Sequence, residues 1–159
     1  MLKTRRQFLR AGTAVAIGTA AAPAVWAFVT RSAGDDGPPS IGYGRDRCDA
    51  CGMIVGDARF AAAAREGTAV HRYDDVGCLA KHAGAAMASG RATGLVHDFN
   101  TEGWVDAARA VFVRAPRIRT PMNYGIIAYA DPAAARAAHP GLPVLSLTET
   151  LAGFVRERP

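Results

Sequence analysis

The chain predicts an α+β fold, two tandem ββαβ units forming one compact body. Strand-like apolar segments and helical patterns occur in the order strand, strand, helix, strand, and that order then repeats. In each repeat an aspartate stands where the second strand gives way to the helix, Asp74-Asp75 in the first and Asp131-Pro132 in the second. Half of the 159 residues are apolar, so a core can be buried.

Residues 1–10 carry Lys3, Arg5, Arg6 and Arg10, and Thr4-Arg5-Arg6-Gln7-Phe8-Leu9-Arg10 resembles a twin-arginine export signal. No charge occurs from Ala11 to Thr30, a mildly apolar run with small-residue cleavage sites at Ala20-Ala21-Ala22 and Val25-Trp26-Ala27. Residues 1–31 are therefore read as an export signal that contacts the membrane during passage to the periplasm. Left uncleaved, the same run is just long enough to serve as an N-terminal membrane anchor. No cysteine lies near the cleavage region, which disfavours a lipid anchor. Residues 32–44, with Gly34, Gly37, Pro38, Pro39, Gly42 and Gly44, read as a flexible linker. The body is expected over residues 45–159.

The first half of the body spans about residues 54–99. Ile54-Val55 and Arg59 to Ala64 suit a strand, Glu66-Gly67 a turn, and Thr68 to Tyr73 a second strand with Ala69, His71 and Tyr73 on one face. Asp74 or Asp75 caps a helix to about Ser89, whose Val76, Leu79, Ala80, Ala83 and Met87 recur at helical spacing before Gly90 stops it. Gly94 to Phe99 returns as a strand. The second half spans about residues 104–147. It offers strands at Ala110 to Arg114, Tyr124 to Tyr129 and Val144 to Leu147, and a loop from Pro116 to Asn123. Its helix runs from Ala133 to His139 behind Asp131-Pro132 and ends at Pro140-Gly141. A last helix is expected from Thr148 to near Arg158.

Charge narrows the function. Five of the 19 basic residues lie in the first 31 positions, which hold no acid, leaving 14 basic against 14 acidic residues in the remainder. The body has no dense Lys/Arg cluster, so no nucleic-acid partner is expected. No nucleophile–base–acid set, phosphate-cradling loop or paired carboxylates stand out, and the chain is not read as an enzyme.

The chemistry lies in sulfur. Cys48-Asp49-Ala50-Cys51-Gly52-Met53 packs two thiols and a thioether into six residues, and Met122 follows Pro121 in a distant turn. Thiols and thioethers are the donors that suit Cu(I). Cys51, Met53, Met122 and Cys48 are the candidate ligands, with Gly52 freeing the turn between the first two. Three cysteines cannot all pair within one chain, so at least one thiol is free or bound to something. For Cys48 and Cys51 the sequence leaves open a disulfide, a redox pair, or a zinc site completed by His71 and Cys78. A c-type haem is disfavoured because Gly52 stands where its histidine belongs. Cys78 reads as a buried thiol or a ligand in the first helical turn. Asp74 and Asp75 read as a cap and a solvated or metal-adjacent carboxylate. His82, His97 and His139 show no ligand grouping.

Four ordered blocks between residues 48 and 130 resemble the NosL family. They are Cys51-Gly52-Met53-Ile54-Val55, Tyr73-Asp74-Asp75-Val76-Gly77-Cys78, Trp104-Val105-Asp106-Ala107 and Thr120-Pro121-Met122-Asn123-Tyr124-Gly125-Ile126-Ile127-Ala128-Tyr129. Proteins of that family are accessories for copper insertion into nitrous oxide reductase. The resemblance implies the tandem ββαβ fold, also seen in a bacterial organomercury lyase. It implies a periplasmic Cu(I) metallochaperone that hands metal to the nitrous oxide reductase apoprotein, with a membrane-bound maturation complex as a further partner. It places metal ligation on Cys51 and Met53, adds Met122, and leaves Cys48 outside the core triplet. Many members are lipoproteins, and the twin-arginine leader is a departure from them. Two rival readings are an exported Cys-x-x-Cys dithiol oxidoreductase and a non-metal scaffold of the reductase maturation complex.

Overall fold

The computed structural model describes residues 37–156; the export-signal reading of residues 1–31 and the start of the expected linker lie outside them. The ordered elements are β1 (Ala62–Glu66), β2 (Ala69–Tyr73), α1 (Val76–Ala88), β3 (Ala92–His97), β4 (Trp104–Asp106), β5 (Val111–Arg114), β6 (Ile126–Tyr129), α2 (Pro132–Ala138), β7 (Val144–Leu145) and α3 (Leu147–Arg156). They form two antiparallel sheets, β2-β1-β3-β4 and β6-β5-β7. In each unit the first strand is central, flanked by its hairpin partner and by the strand that returns after the helix. The tandem ββαβ architecture is therefore present, with β4 as an added edge of the first sheet.

Local chemistry sets the boundaries. Ala62 pairs with Tyr73 and Glu66 with Ala69, so β1 and β2 are joined by Gly67-Thr68 alone, and Gly67 takes φ 59°. Asp75 caps α1 by accepting the Gly77 amide, and Asp131 caps α2 the same way from Ala133, with Pro132 in the first turn. The first strand differs from expectation. Residues 54–61 do not join the sheet: Ile54 makes only an isolated bridge to Arg47, and Ala58–Phe60 is a 3-10 turn whose cap is Asp57. A carboxylate that accepts the Arg59 amide holds the chain bent at that point, and the strand begins only at Ala62. The last strand is shorter and the last helix starts earlier than expected.

Two layers of core explain the apolar runs. Phe112, Ile126 and Ala128 point into one cluster with Val55, Leu79 and Val96, while Val113, Ile127 and Tyr129 point into another with Phe60 and Ala135. The second sheet is thus covered on both faces, so β5 and β6 read as continuous rather than alternating apolar segments. In β1, Ala62 and Ala64 face α1's side of the core, where short side chains let the helix lie close. The units also meet through backbone: Phe99 N donates to Ala128 O at 2.9 Å. No helix among the described residues is long and apolar enough to cross a membrane.

Candidate metal centre

The cysteine turn is built as a closed loop. Cys48 N donates to Met53 O and Gly52 N to Cys48 O, both at 2.8 Å, and Gly52 sits at φ 76°, a conformation that favours glycine. On either side, Val55 N bonds Asp46 O and Gly44 N bonds Val55 O, so residues 44–55 form an irregular hairpin. Asp49 clips this hairpin onto the end of β2. Its amide donates to Arg72 O at 2.8 Å, and its carboxylate accepts the Arg72 amide at 2.9 Å and faces His71 Nδ1 at 3.3 Å.

That clip sets the cysteines over the junction between β2 and α1. Asp74 follows β2, and Cys78 lies in the first turn of α1. Cys48, Cys51, Asp74 and Cys78 each offer one ligand atom, and these four atoms all lie within 4.8 Å of one another. Cys51 is partly exposed and the other three are buried. Cys51 Sγ donates to Asp74 Oδ1 at 3.4 Å, while Asp74 Oδ2, on a residue only 1% exposed, has no hydrogen-bond partner. All three cysteines are free. Burial pushes the Cys48 thiol up from its ordinary value. Burial also pushes up Cys78, reinforced by Cys48 and the adjacent Asp74 carboxyl. Without a cation the two buried cysteines, Cys48 and Cys78, therefore favour the thiol over the thiolate.

The Thr-Pro-Met loop arrives at the same helix end. Asp75 is fully buried; its Oδ2 accepts Thr120 Oγ1 at 2.6 Å and the Met122 amide at 2.9 Å, and its Oδ1 accepts Gly77 N at 2.7 Å. Tyr124 packs against Gly77, where a Cβ would come within 2.0 Å of the ring. Adjacent aspartates thus hold the two sulfur-bearing segments: Asp74 the cysteine turn, Asp75 the methionine loop. Met122 packs half-buried against the core cluster that contains Cys48 and Cys78.

Of the residues singled out by sequence, Cys48 and Cys51 stand in the four-residue cluster. Met122 is tied to the helix end next to it through its backbone. Met53 lies on the cysteine hairpin and is 47% exposed. Asp74 and Cys78 are functional candidates that the sequence reading ranked below the methionines. Asp74 is not a solvated carboxylate: it is buried among thiols. His71 is paired with Asp49 and is outside the cluster, and His82 accepts or donates at Tyr73 Oη, 2.8 Å away.

No family model matches the sequence, and no curated protein is significantly similar to it. Among solved structures the fold is similar to the crystal structure of the copper chaperone NosL from Shewanella denitrificans. The TM-score is 0.60 at 16% identity, over 71% of this chain and 94% of that one. At that identity the likeness speaks for architecture: the chain has the NosL fold, with a Cys/Asp cluster able to hold a metal ion at the junction of its first ββαβ unit.

Proposed function

We propose that this chain is a periplasmic Cu(I) carrier that delivers copper to the nitrous oxide reductase apoprotein. The observation that carries the reading is the convergence of three thiol sulfurs, from two separated segments, in one largely buried cluster. Soft sulfur donors select Cu(I). The fold likeness to a copper chaperone supports the same cargo. Cys51 is the ligand through which metal enters and leaves, because it alone of the three is partly exposed. Cys48 and Cys78 stand behind it, and Met53 on the same hairpin and Met122 on the neighbouring loop are the further sulfur donors of this reading. Uptake displaces protons from the buried thiols, since the thiolate is the ligand.

Release by ligand exchange needs a surface where an acceptor can approach. The exposed large hydrophobics among the described residues are Tyr43, Met53 and Ile54, all beside or within the hairpin that carries Cys48 and Cys51. An acceptor docked there would offer its own ligands to the metal without the ion passing through water. Export by the twin-arginine route and docking on a membrane-bound maturation complex belong to this reading. The dithiol oxidoreductase reading is less well supported, because Cys78 and Asp74 share the site with Cys48 and Cys51, and a dithiol pair needs neither of them.

Competition against a chromogenic Cu(I) chelator under anaerobic conditions tests the proposal. Cys51→Ser should abolish stoichiometric Cu(I) binding, and Met53→Ala or Met122→Ala should weaken it. Unchanged affinity in all three variants would remove the site. Turnover of a disulfide substrate without copper uptake would favour the dithiol enzyme, and maturation of the reductase by the Cys51→Ser protein would favour a scaffold.

A further inference from the structure

One atom of the cluster is left without a role by Cu(I). Asp74 is 1% exposed, its carboxyl lies with the three sulfurs, and Oδ2 has no partner. A buried polar atom left unpaired is destabilising. Cu(I) takes thiolates and thioethers, whereas a carboxylate oxygen suits harder or borderline cations. A sulfur-bound Cu(I) therefore leaves Oδ2 as it is. Three sulfurs and one oxygen are, however, a complete tetrahedral set for a borderline divalent ion such as Zn2+.

We infer that the same cluster accepts a second class of cargo, a four-coordinate divalent cation of the zinc type, with Cys48, Cys51, Cys78 and Asp74 as its ligands. The inference deepens the copper reading and rests on its premise that this cluster is where metal binds. Bonds of about 2.3 Å to sulfur and about 2.1 Å to oxygen place tetrahedral donors about 3.6 to 3.8 Å apart, so a set now within 4.8 Å closes by about 1 Å at its widest. Cys51, the partly exposed member on the turn, already faces Asp74 and is the side chain with open space beside it for that closure. The excess negative charge of three thiolates and a carboxylate is eased by the N-terminal end of the 13-residue α1, which starts at Val76 beside the site. Asp74 then separates the two cargoes: the divalent ion needs its oxygen, and Cu(I) does not.

Anaerobic titration of the reduced full chain with Co2+, a spectroscopic substitute for Zn2+, tests this, with Cu(I) competition run in parallel. The expected result is one Co2+ per chain with the intense visible bands of tetrahedral cobalt, thiolate-to-cobalt charge transfer, and displacement by Zn2+. Asp74→Ala and the shape-conserving Asp74→Asn should each weaken Co2+ binding by at least about tenfold, and by a clearly larger factor than they weaken Cu(I) binding. Circular dichroism identifies a variant that has failed to fold, and the other variant then carries the test. Octahedral cobalt spectra, absent Co2+ binding, or Co2+ affinity indifferent to Asp74 would overturn the inference while leaving the copper reading intact if Cu(I) still binds. Equal loss of both metals in the Asp74 variants would overturn the division between cargoes. Binding of neither metal by the wild-type chain would overturn both readings.

Discussion

Asp74 and Asp75 are adjacent, both buried, and serve opposite ends of one junction. Asp75 satisfies three donors: the Gly77 amide, the Thr120 hydroxyl and the Met122 amide. Asp75→Ala removes a helix cap and strands a buried hydroxyl and a half-buried amide. A loss of about 2–4 kcal/mol of unfolding free energy is expected, read as a lower urea midpoint. Asp75→Asn keeps an acceptor for the cap and should lose less. A midpoint unchanged in Asp75→Ala would mean that the loop is held by other contacts. Residues of this kind show how far the site is legible in sequence. Cys48 and Cys51 declare themselves by spacing, and Thr-Pro-Met by its unusual setting. Asp74 and Cys78 do not, because an aspartate before a helix and a cysteine in its first turn are ordinary. What assigns them is the clip of Asp49 onto Arg72, a contact across 23 positions that composition and periodicity do not encode.

The strand-to-helix junction is duplicated. Tyr73 ends β2, Asp75 caps α1, and Tyr73 Oη lies 2.8 Å from His82 Nδ1. Tyr129 ends β6, Asp131 caps α2, and Tyr129 Oη lies 2.9 Å from His139 Nε2. Between each tyrosine and its capping aspartate stands one residue, Asp74 in the first unit and Ala130 in the second. The Cys/Asp cluster therefore belongs to one repeat, since the other carries a methyl group at the matching place. The first unit also leaves α1 bare at Gly77, against the Tyr124 ring. Alanine there should favour the helix slightly but would drive a methyl group into the Tyr124 ring. The net effect of Gly77→Ala should be a loss of about 1–3 kcal/mol from overpacking. Adding Tyr124→Ala should recover part of it, so that the double variant is more stable than the two single losses predict; strict additivity would mean that the ring simply moves aside. The repeat of elements was readable because caps and strand pairs are local features. The three-residue β4 was missed because Trp104-Val105-Asp106 is too short to show a period. The early strand was misplaced because Asp57 bends the chain where apolar content alone suggests extension.

The two units become one body where β3 runs out beside β6. Asp98, 5% exposed, accepts the amides of Asn100 and Thr101 and the Thr101 hydroxyl on Oδ1, and the Ala130 amide at 2.7 Å on Oδ2. One carboxylate thus shapes the turn that leaves the first sheet and holds the strand end of the second. The amide it holds belongs to the middle residue of the second unit's Tyr-x-Asp junction, so the packing of the repeats and the entry to α2 are fixed together. Burial pushes the pKa of Asp98 up, but the hydrogen bonds from Ala130, Thr101 and Asn100 outweigh burial and hold it below the ordinary value of 3.8. A group lowered in the folded state binds more protons unfolded, so its stabilisation is present above 3.8 and is lost as pH falls through the lower folded value. In Asp98→Asn an amide group must face at least one backbone N–H. At neutral pH that variant should be less stable than wild type by about 1–3 kcal/mol in urea denaturation. The gap should narrow below about pH 4, where the wild-type carboxylate takes up its proton and loses its advantage over the amide. A gap that stays constant down to pH 2 would show that Asp98 acts through its shape rather than its charge, and that the two sheets are joined by the Phe99–Ala128 backbone bond and by side-chain packing instead.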